Sequence, residues 1–181
     1  IIFKGSASYI DCFKINDRFS CMLCGLGFDA KVAHEFAAHP SRGLYTYIKL
    51  SVKNFFSAKT YPFTIEINNT AIITNAFFIS IANSNQFGNN FTIAPKASLS
   101  DGLLDIVIVN KMNKIHLVFS ILKQITLGRV QQATGKKSSE TGIRYFQTKS
   151  LVIQNPSEAP LHIDGDPAVT DTMFTISIIE N

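Results

Sequence analysis

The sequence predicts a β-rich α+β fold, an antiparallel β-sandwich with about three flanking helices. Short runs of alternating or continuous apolar residues recur along the chain, joined by the two-residue turn signals Asn16-Asp17, Asn68-Asn69 and Asp164-Gly165. Helical spacing, by contrast, is confined to 28–37, 44–55 and 112–127. Strands joined mostly by hairpins build an antiparallel sheet rather than a βαβ repeat.

Taken in order, the chain opens with a hairpin in which 8–15 and 18–23 flank Asn16-Asp17. From Phe28 the period lengthens. Phe28, Val32, Phe36 and Ala37 follow helical spacing until Pro40 stops the helix. Ser41 is placed to cap a second helix, with apolar positions Leu44, Tyr47, Ile48, Val52 and Phe55. Residues 63–67 alternate as a strand, and Asn68-Asn69 turns the chain back into 71–73 and 77–82. A long polar loop begins at Asn83, holds the amides Asn83, Asn85, Asn89 and Asn90, and ends in Ser100-Asp101-Gly102. Structureless loops of that length are uncommon in compact domains and tend to be functional. The run 103–109 is apolar and β-branched apart from Asp105, and predicts a central strand. Residues 112–127 carry Ile115, Val118, Phe119, Leu122 and Ile125 on one helical face, ended by Gly128. The stretch 129–144, with Arg129, Lys136, Lys137 and Arg144 between glycine breakers, reads as a solvated loop, with a phosphate or membrane-surface contact as the alternative. Strands at 145–154, 161–163 and 173–179 bring the number to about eight.

A chain of 181 residues suits one domain, and 46% hydrophobic against 17% charged residues makes it globular and apolar. A net charge of +4 favours anionic partners, but it is too small and scattered for nucleic-acid binding. Cys21 and Cys24 have C-x-x-C spacing, yet no second pair or ligand-spaced histidines accompany them. The pair lies in an apolar run and reads as buried free thiols, and with Cys12 the odd count of reduced thiols fits the cytosol. No signal peptide is visible, and no stretch approaches the ~20 apolar residues needed to span a bilayer. The sequence lacks an initiator Met and opens inside apolar residues, as a fragment would.

Three segments, in order, carry a family resemblance. They are Ile10-Asp11 with Gly25-Leu26-Gly27-Phe28-Asp29-Ala30, then Ile81-Ala82-Asn83-Ser84 through Ile93-Ala94-Pro95-Lys96-Ala97 to Asp101-Gly102-Leu103-Leu104-Asp105, and finally His162-Ile163-Asp164-Gly165-Asp166-Pro167. Together they resemble the C-terminal domain of the diacylglycerol kinase and sphingosine kinase-like lipid kinases, in particular the bacterial branch. The resemblance implies a β-sandwich with helices on its flanks and transfer of the γ-phosphoryl group of ATP to a lipid hydroxyl. It implies that ATP is held mainly by an N-terminal α/β domain with a Gly-Gly-Asp-Gly motif, which this sequence lacks. Residues 1–181 would then be the lipid-side domain, with its own N-terminal domain, ATP and a lipid as partners. A peripheral contact with the cytoplasmic membrane face is a further expectation, and a homodimer is left open.

The resemblance also implies site residues. Mg²⁺ would be held by Asp101 and by the main chain at Ser98 and Leu103, where oxygen donors suit a hard cation. By spacing alone, Asp101-Gly102 is a turn. Asp164 and Gly165 would face the nucleotide, and Asp166 would accept the proton of the lipid hydroxyl. Family members usually have Glu at the position of Asp166, so the acid here is one methylene shorter. Strand alternation places His162, Asp164 and Asp166 on one face. Asp29 stands where a carboxylate stabilises a helix start. Phe36, Tyr47, Phe55 and Phe56 read as core, with an acyl-chain cleft as the alternative. A non-catalytic lipid- or protein-binding module and an NAD kinase-like domain are the alternative functions.

Overall fold

The computed structural model describes residues 8–41, 43–85, 94, 96–111 and 142–180. Eleven strands and two helices occur among them. They are β1 (Cys12–Ile15), β2 (Arg18–Ser20), β3 (Leu23–Gly27), α1 (Phe28–Ala38), α2 (Leu44–Ser57), β4 (Tyr61–Ile67), β5 (Thr70–Ala82) and β6 (Leu104–Asn110), followed by β7 (Ile143–Thr148), β8 (Ser150–Gln154), β9 (Leu161–Ile163), β10 (Asp166–Ala168) and β11 (Met173–Ile179). The helix expected at 112–127 lies outside the described residues, as does most of the loop expected at 129–144.

Every strand pair among the described residues is antiparallel, and β5 organises the pairing. Ala76 pairs with Tyr61 on one edge and with Asn110 on the other. The first half of β5 therefore pairs with β4 and the second half with β3 on the same edge, while β6 takes the opposite edge. The register shifts between Ala76 and Phe78, and a bulge of this kind bends a strand from one layer into another. One leaf runs β7-β6-β5-β3-β9-β10 and the other β5-β4-β8-β11-β1-β2. Their inner faces meet in a single core. Leu26, Ile79, Ile81 and Ile106 come from the first leaf, and Phe63, Ile153, Phe174 and Phe13 from the second. The predicted sandwich is thus a continuous sheet folded over at β5. A smaller cluster, including Phe77, Val107 and Val109, covers the outer face of β5 and β6, so β6 is buried on both sides as a central strand should be.

The differences from the sequence reading have physical causes. The run at 18–23 is broken after Ser20, where the amides of Cys21 and Met22 donate to Asp164 instead of a neighbouring strand, and Leu23 opens β3. The expected strands 71–73 and 77–82 are one bent strand, whereas 145–154 is two. At Lys149 the chain leaves the first leaf, where β7 pairs with β6, and enters the second, where β8 pairs with β4 and β11. Ile143 and Arg144, expected in a loop, belong to β7. The short strand β10 was not anticipated, because Pro167 disfavours a strand except at an edge, and β10 is an edge. Cys21 is exposed rather than buried; all three cysteines are free.

Gly27 starts α1 at φ +102°, and a Cβ there would lie 2.5 Å from the Phe77 carbonyl oxygen, so only glycine fits this strand-to-helix corner. α2 begins after Gly43, with no side-chain cap; Ser41 is not its N-cap. The helices pack through edge-to-face contacts, Phe36 on Tyr47 at 5.6 Å and Phe28 on Phe55 at 6.1 Å. Phe56 is exposed rather than part of the core. No helix among the described residues is long and apolar enough to cross a membrane.

Candidate functional site

Two of the expected site segments are tied by hydrogen bonds to the bend at Ser20–Leu23, between β2 and β3. On one side lies the β9–β10 hairpin. Asp164 and Gly165, at φ +50° and +88°, form its two-residue turn, which fixes the register of Ile163 against Asp166. The Asp164 carboxylate accepts hydrogen bonds from the Ser20 hydroxyl at 2.7 Å and from the amides of Cys21, Met22 and Leu23 at 3.0–3.1 Å. Burial alone would raise its pKa, but these four donors outweigh it and hold the carboxyl below its ordinary value. Asp164 is a clamp that ties the hairpin to the bend.

His162 is not on the face expected for it. The turn at Asp164-Gly165 interrupts the alternation, and His162 is buried beneath the hairpin. Its Nδ1 accepts the Gly165 amide at 3.3 Å, and its Nε2 lies 3.4 Å from Asp29 Oδ2 in the first turn of α1. Asp29 is itself buried, so its place is beside His162 rather than only at a solvated helix start. A side chain on Gly25 would intrude between these two, against Asp29 Oδ2 and 2.5 Å from His162 Nε2. His162 is buried and the exposed Asp164 is engaged by four donors, whereas Asp166 is exposed at the start of β10.

On the other side of the bend the long loop begins. Asn83 donates from Nδ2 to the carbonyls of Asp11 at 2.7 Å and Cys21 at 3.0 Å, and the amides of Asn83 and Ser84 both donate to the Met22 carbonyl. Asp11 in turn receives the Gly102 amide on Oδ2 at 2.8 Å, and its own amide donates to the Leu99 carbonyl. One hydrogen-bonded path therefore runs from the Asp101-Gly102 turn through Asp11, Asn83 and the 20–23 bend to Asp164. Asn83 spans it as a structural amide; Asn85 is exposed, and Asn89 and Asn90 lie outside the described residues.

Asp101 is exposed, and its Oδ1 accepts the Leu103 amide at 3.1 Å, which orients the carboxylate. Ser98 and Leu103 flank it, half-buried. A carboxylate held beside main-chain oxygens is the donor set of a hard cation that retains several waters. Charges of both signs surround it: Glu180, which packs against Gly102, is paired with Lys149, and Asp105 interacts with both Asp101 and Lys96. The described residues hold no cluster of three or more His, Cys, Asp or Glu that could bind a metal, so a cation here would rest on one side-chain carboxylate. Asp105 is buried and accepts from Tyr145 Oη and Gln147 Nε2; burial nevertheless raises its pKa, and burial with the bond to Asp105 raises that of Tyr145.

Sequence reasoning did not find the roles of Asp11, Asn83 or the Asp29–His162 contact. The one available signal was at Asp11, a charged residue standing in an otherwise apolar segment; Asn83 opens a polar loop and gives no such signal. Cys24 is fully buried and its thiol is pushed well above the usual range by burial and by Asp29. That agrees with an inert thiol rather than a redox pair.

A family described as the YegS C-terminal NAD kinase beta sandwich-like domain matches residues 23–177. A protein of Shewanella frigidimarina named "Probable lipid kinase YegS-like" is 27% identical over 174 residues, covering 93% of this chain and 52% of that protein. A "Diacylglycerol kinase" of Staphylococcus saprophyticus is 22% identical over 171 residues, covering 92% of this chain and 52% of that protein. Among solved structures, a diacylglycerol kinase from Bacillus anthracis shares the fold with a TM-score of 0.63 at 16% identity, covering 94% of this chain and 50% of that one. The chain spans about half the length of the curated relatives it matches.

Proposed function

We propose, because the chain belongs to the YegS C-terminal NAD kinase beta sandwich-like domain family, that it is the lipid-side domain of an ATP-dependent lipid kinase. The observation that carries this reading is the β9–β10 hairpin. Its turn is clamped by Asp164 and seated on His162, and it presents Asp166 to solvent. A rigid turn with one free carboxylate suits proton acceptance from an alcohol. As the lipid oxygen forms its bond to the γ-phosphorus and the bond to the β-phosphate bridging oxygen breaks, Asp166 takes the hydroxyl proton and ADP leaves.

Asp101, with the main chain at Ser98 and Leu103, would hold Mg²⁺, which supplies charge neutralisation beside the transferring phosphoryl group. Asp164 serves the site through the bend and not by direct contact with nucleotide, since all its strong contacts are internal. Gly165 lies open on the turn, with nothing within 4 Å of a Cβ built there, and is the better candidate for approach to a phosphate. ATP would be gripped mainly by an N-terminal domain, and the lipid substrate brings the protein to a membrane surface.

The test is phosphoryl transfer from ATP by the full-length protein, offered diacylglycerol, a sphingoid base and NAD in parallel. Transfer to one of the two lipids supports the reading. Transfer to NAD alone would favour an NAD kinase-like enzyme, a second reading that the family description itself motivates. Binding of lipid with no transfer to any acceptor would make the domain a binding module.

A further inference from the structure

Cys12 and Cys21 face one another where the β1–β2 hairpin opens. The pairs Phe13 with Ser20, Lys14 with Phe19 and Ile15 with Arg18 fix the register, and one more step along it brings Cys12 to Cys21. Phe13, Ile15 and Ser20 are buried, so strand alternation puts both cysteines on the outward face with Lys14 and Phe19. Cys12 is half-buried and Cys21 exposed, within reach of small reagents. Cys24, by contrast, is sealed in the core.

The type of pairing suits a covalent link. The two-residue turn at Asn16-Asp17 makes Ile15 and Arg18 a hydrogen-bonded pair, and antiparallel alternation then makes Cys12 and Cys21 a non-hydrogen-bonded one. The main chain agrees. The Cys21 amide donates to Asp164 and its carbonyl accepts from Asn83, so neither group turns to β1. Pairs of that type set their Cα atoms ~4.5 Å apart, at the near end of the roughly 4.4–6.8 Å that a disulfide spans. Asn83 Nδ2 donates to the Asp11 carbonyl as well, which fastens the start of β1 to the bend and keeps the two cysteines opposed. Burial, the Asp164 carboxylate and the Cys12 thiol together raise the pKa of Cys21, so the two sulfurs are close enough to feel one another's charge. Because its thiolate is not stabilised, exchange at Cys21 is slow, and the reduced pair gains none of the stability that makes some disulfides strong oxidants.

We propose that Cys12 and Cys21 are a thiol pair that closes reversibly to a disulfide, bracing β1 against the bend that holds the β9–β10 hairpin. The inference is independent of the lipid kinase reading. The oxidant is a low-molecular-weight disulfide of the glutathione class. The Cys21 thiol loses its proton to solvent and attacks one sulfur of the oxidant. That S–S bond breaks, and one glutathione leaves as a thiolate and takes up a proton. Cys12, deprotonated in turn, attacks the Cys21 sulfur and expels the second glutathione. In all, two protein thiols are oxidised by two electrons and one disulfide is reduced to two thiols.

The full-length protein, fully reduced, is incubated with oxidised glutathione, blocked with N-ethylmaleimide in denaturant, and mapped by mass spectrometry without reduction. Expected is a Cys12–Cys21 cross-link that dithiothreitol removes, with Cys24 recovered as its maleimide adduct. Cys12→Ser should stop the sequence after its first step, leaving glutathione on Cys21. Oxidation should slow hydrogen exchange at the Met22 and Leu23 amides on the order of tenfold in the parent and leave it unchanged in Cys12→Ser/Cys21→Ser. Both side chains lie off the core face, so these variants should melt with the reduced parent.

Glutathione carried separately on the two cysteines, a link from Cys21 to Cys24, or a pair left reduced at every ratio of oxidised to reduced glutathione would overturn the proposal. So would a cross-link that forms only in denaturant, since the fold would then contribute nothing to it. Unchanged exchange at Met22 and Leu23 on oxidation would overturn the bracing of the bend. None of these readouts uses phosphoryl transfer, so failure of the kinase reading would leave them intact.

Discussion

Asp164 and Asp166 are two residues apart, yet they are in opposite physical situations. Asp164 collects three backbone amides and a hydroxyl, while Asp166 is left to solvent. Charge-assisted bonds of this kind are each worth roughly 1.5–3 kcal/mol when shielded, and less where water competes. Asp164→Asn should therefore cost about 1–2 kcal/mol of stability at neutral pH. Its pH dependence has a definite sign. A carboxyl held below its unfolded pKa of roughly 3.9 contributes fully above that value, and the contribution is lost as pH falls through the lowered folded value. Urea melts from pH 7 down to pH 2 should show the acid loss in the parent and a flatter acid limb in Asp164→Asn. His162 is coupled to the same turn through the Gly165 amide. Replacing it with Phe should speed hydrogen exchange at Gly165 while leaving the β5–β6 amides protected, a comparison that mass spectrometry or NMR can make.

At the scale of elements, Gly25 and Gly27 set how β3 delivers α1. Gly27→Ala must adopt a left-handed φ and place a Cβ against the Phe77 carbonyl, a backbone atom that cannot swing away. Gly25→Ala meets Asp29 and His162 instead. Each should cost about 1–3 kcal/mol by chemical denaturation. Gly25→Ala alone should also disturb the hairpin carrying Asp166, because it displaces His162. Elements of this kind were partly legible in the sequence. The Asn68-Asn69 turn, with φ of +46° and +63°, and the strands at 161–163 and 173–179 follow from local rules and stand where those rules put them. The bend at 20–23 and the division at Lys149 were not legible, since both depend on partners more than 100 residues away or in the opposite leaf. α2 shows the same limit. Its spacing predicted a helix, but Ile48 and Val52 of the expected apolar positions are exposed, while the polar Thr46 and Asn54 are buried with Leu50.

Across the whole molecule, the sandwich sets the bend, the hairpin and the start of the long loop side by side at β3, where residues distant in sequence meet. The order of the three motifs made a lipid-kinase-like domain legible before any geometry was known, and the family match over residues 23–177 agrees. What the motifs could not give was the division of labour among the acids, because a hairpin signal such as Asp164-Gly165 is silent about which carboxylate is engaged by donors. The central claim is that Asp166 handles the hydroxyl proton of a lipid acceptor, and one measurement tests it most directly. Initial rates of phosphoryl transfer from ATP to the lipid acceptor should be compared for the full-length parent, Asp166→Asn and Asp166→Glu, with ATP affinity measured alongside. The account predicts a fall in kcat of about 10²–10⁴ for Asp166→Asn with ATP affinity and melting unchanged, and recovery of substantial turnover in Asp166→Glu. Turnover by Asp166→Asn equal to that of the parent would contradict it.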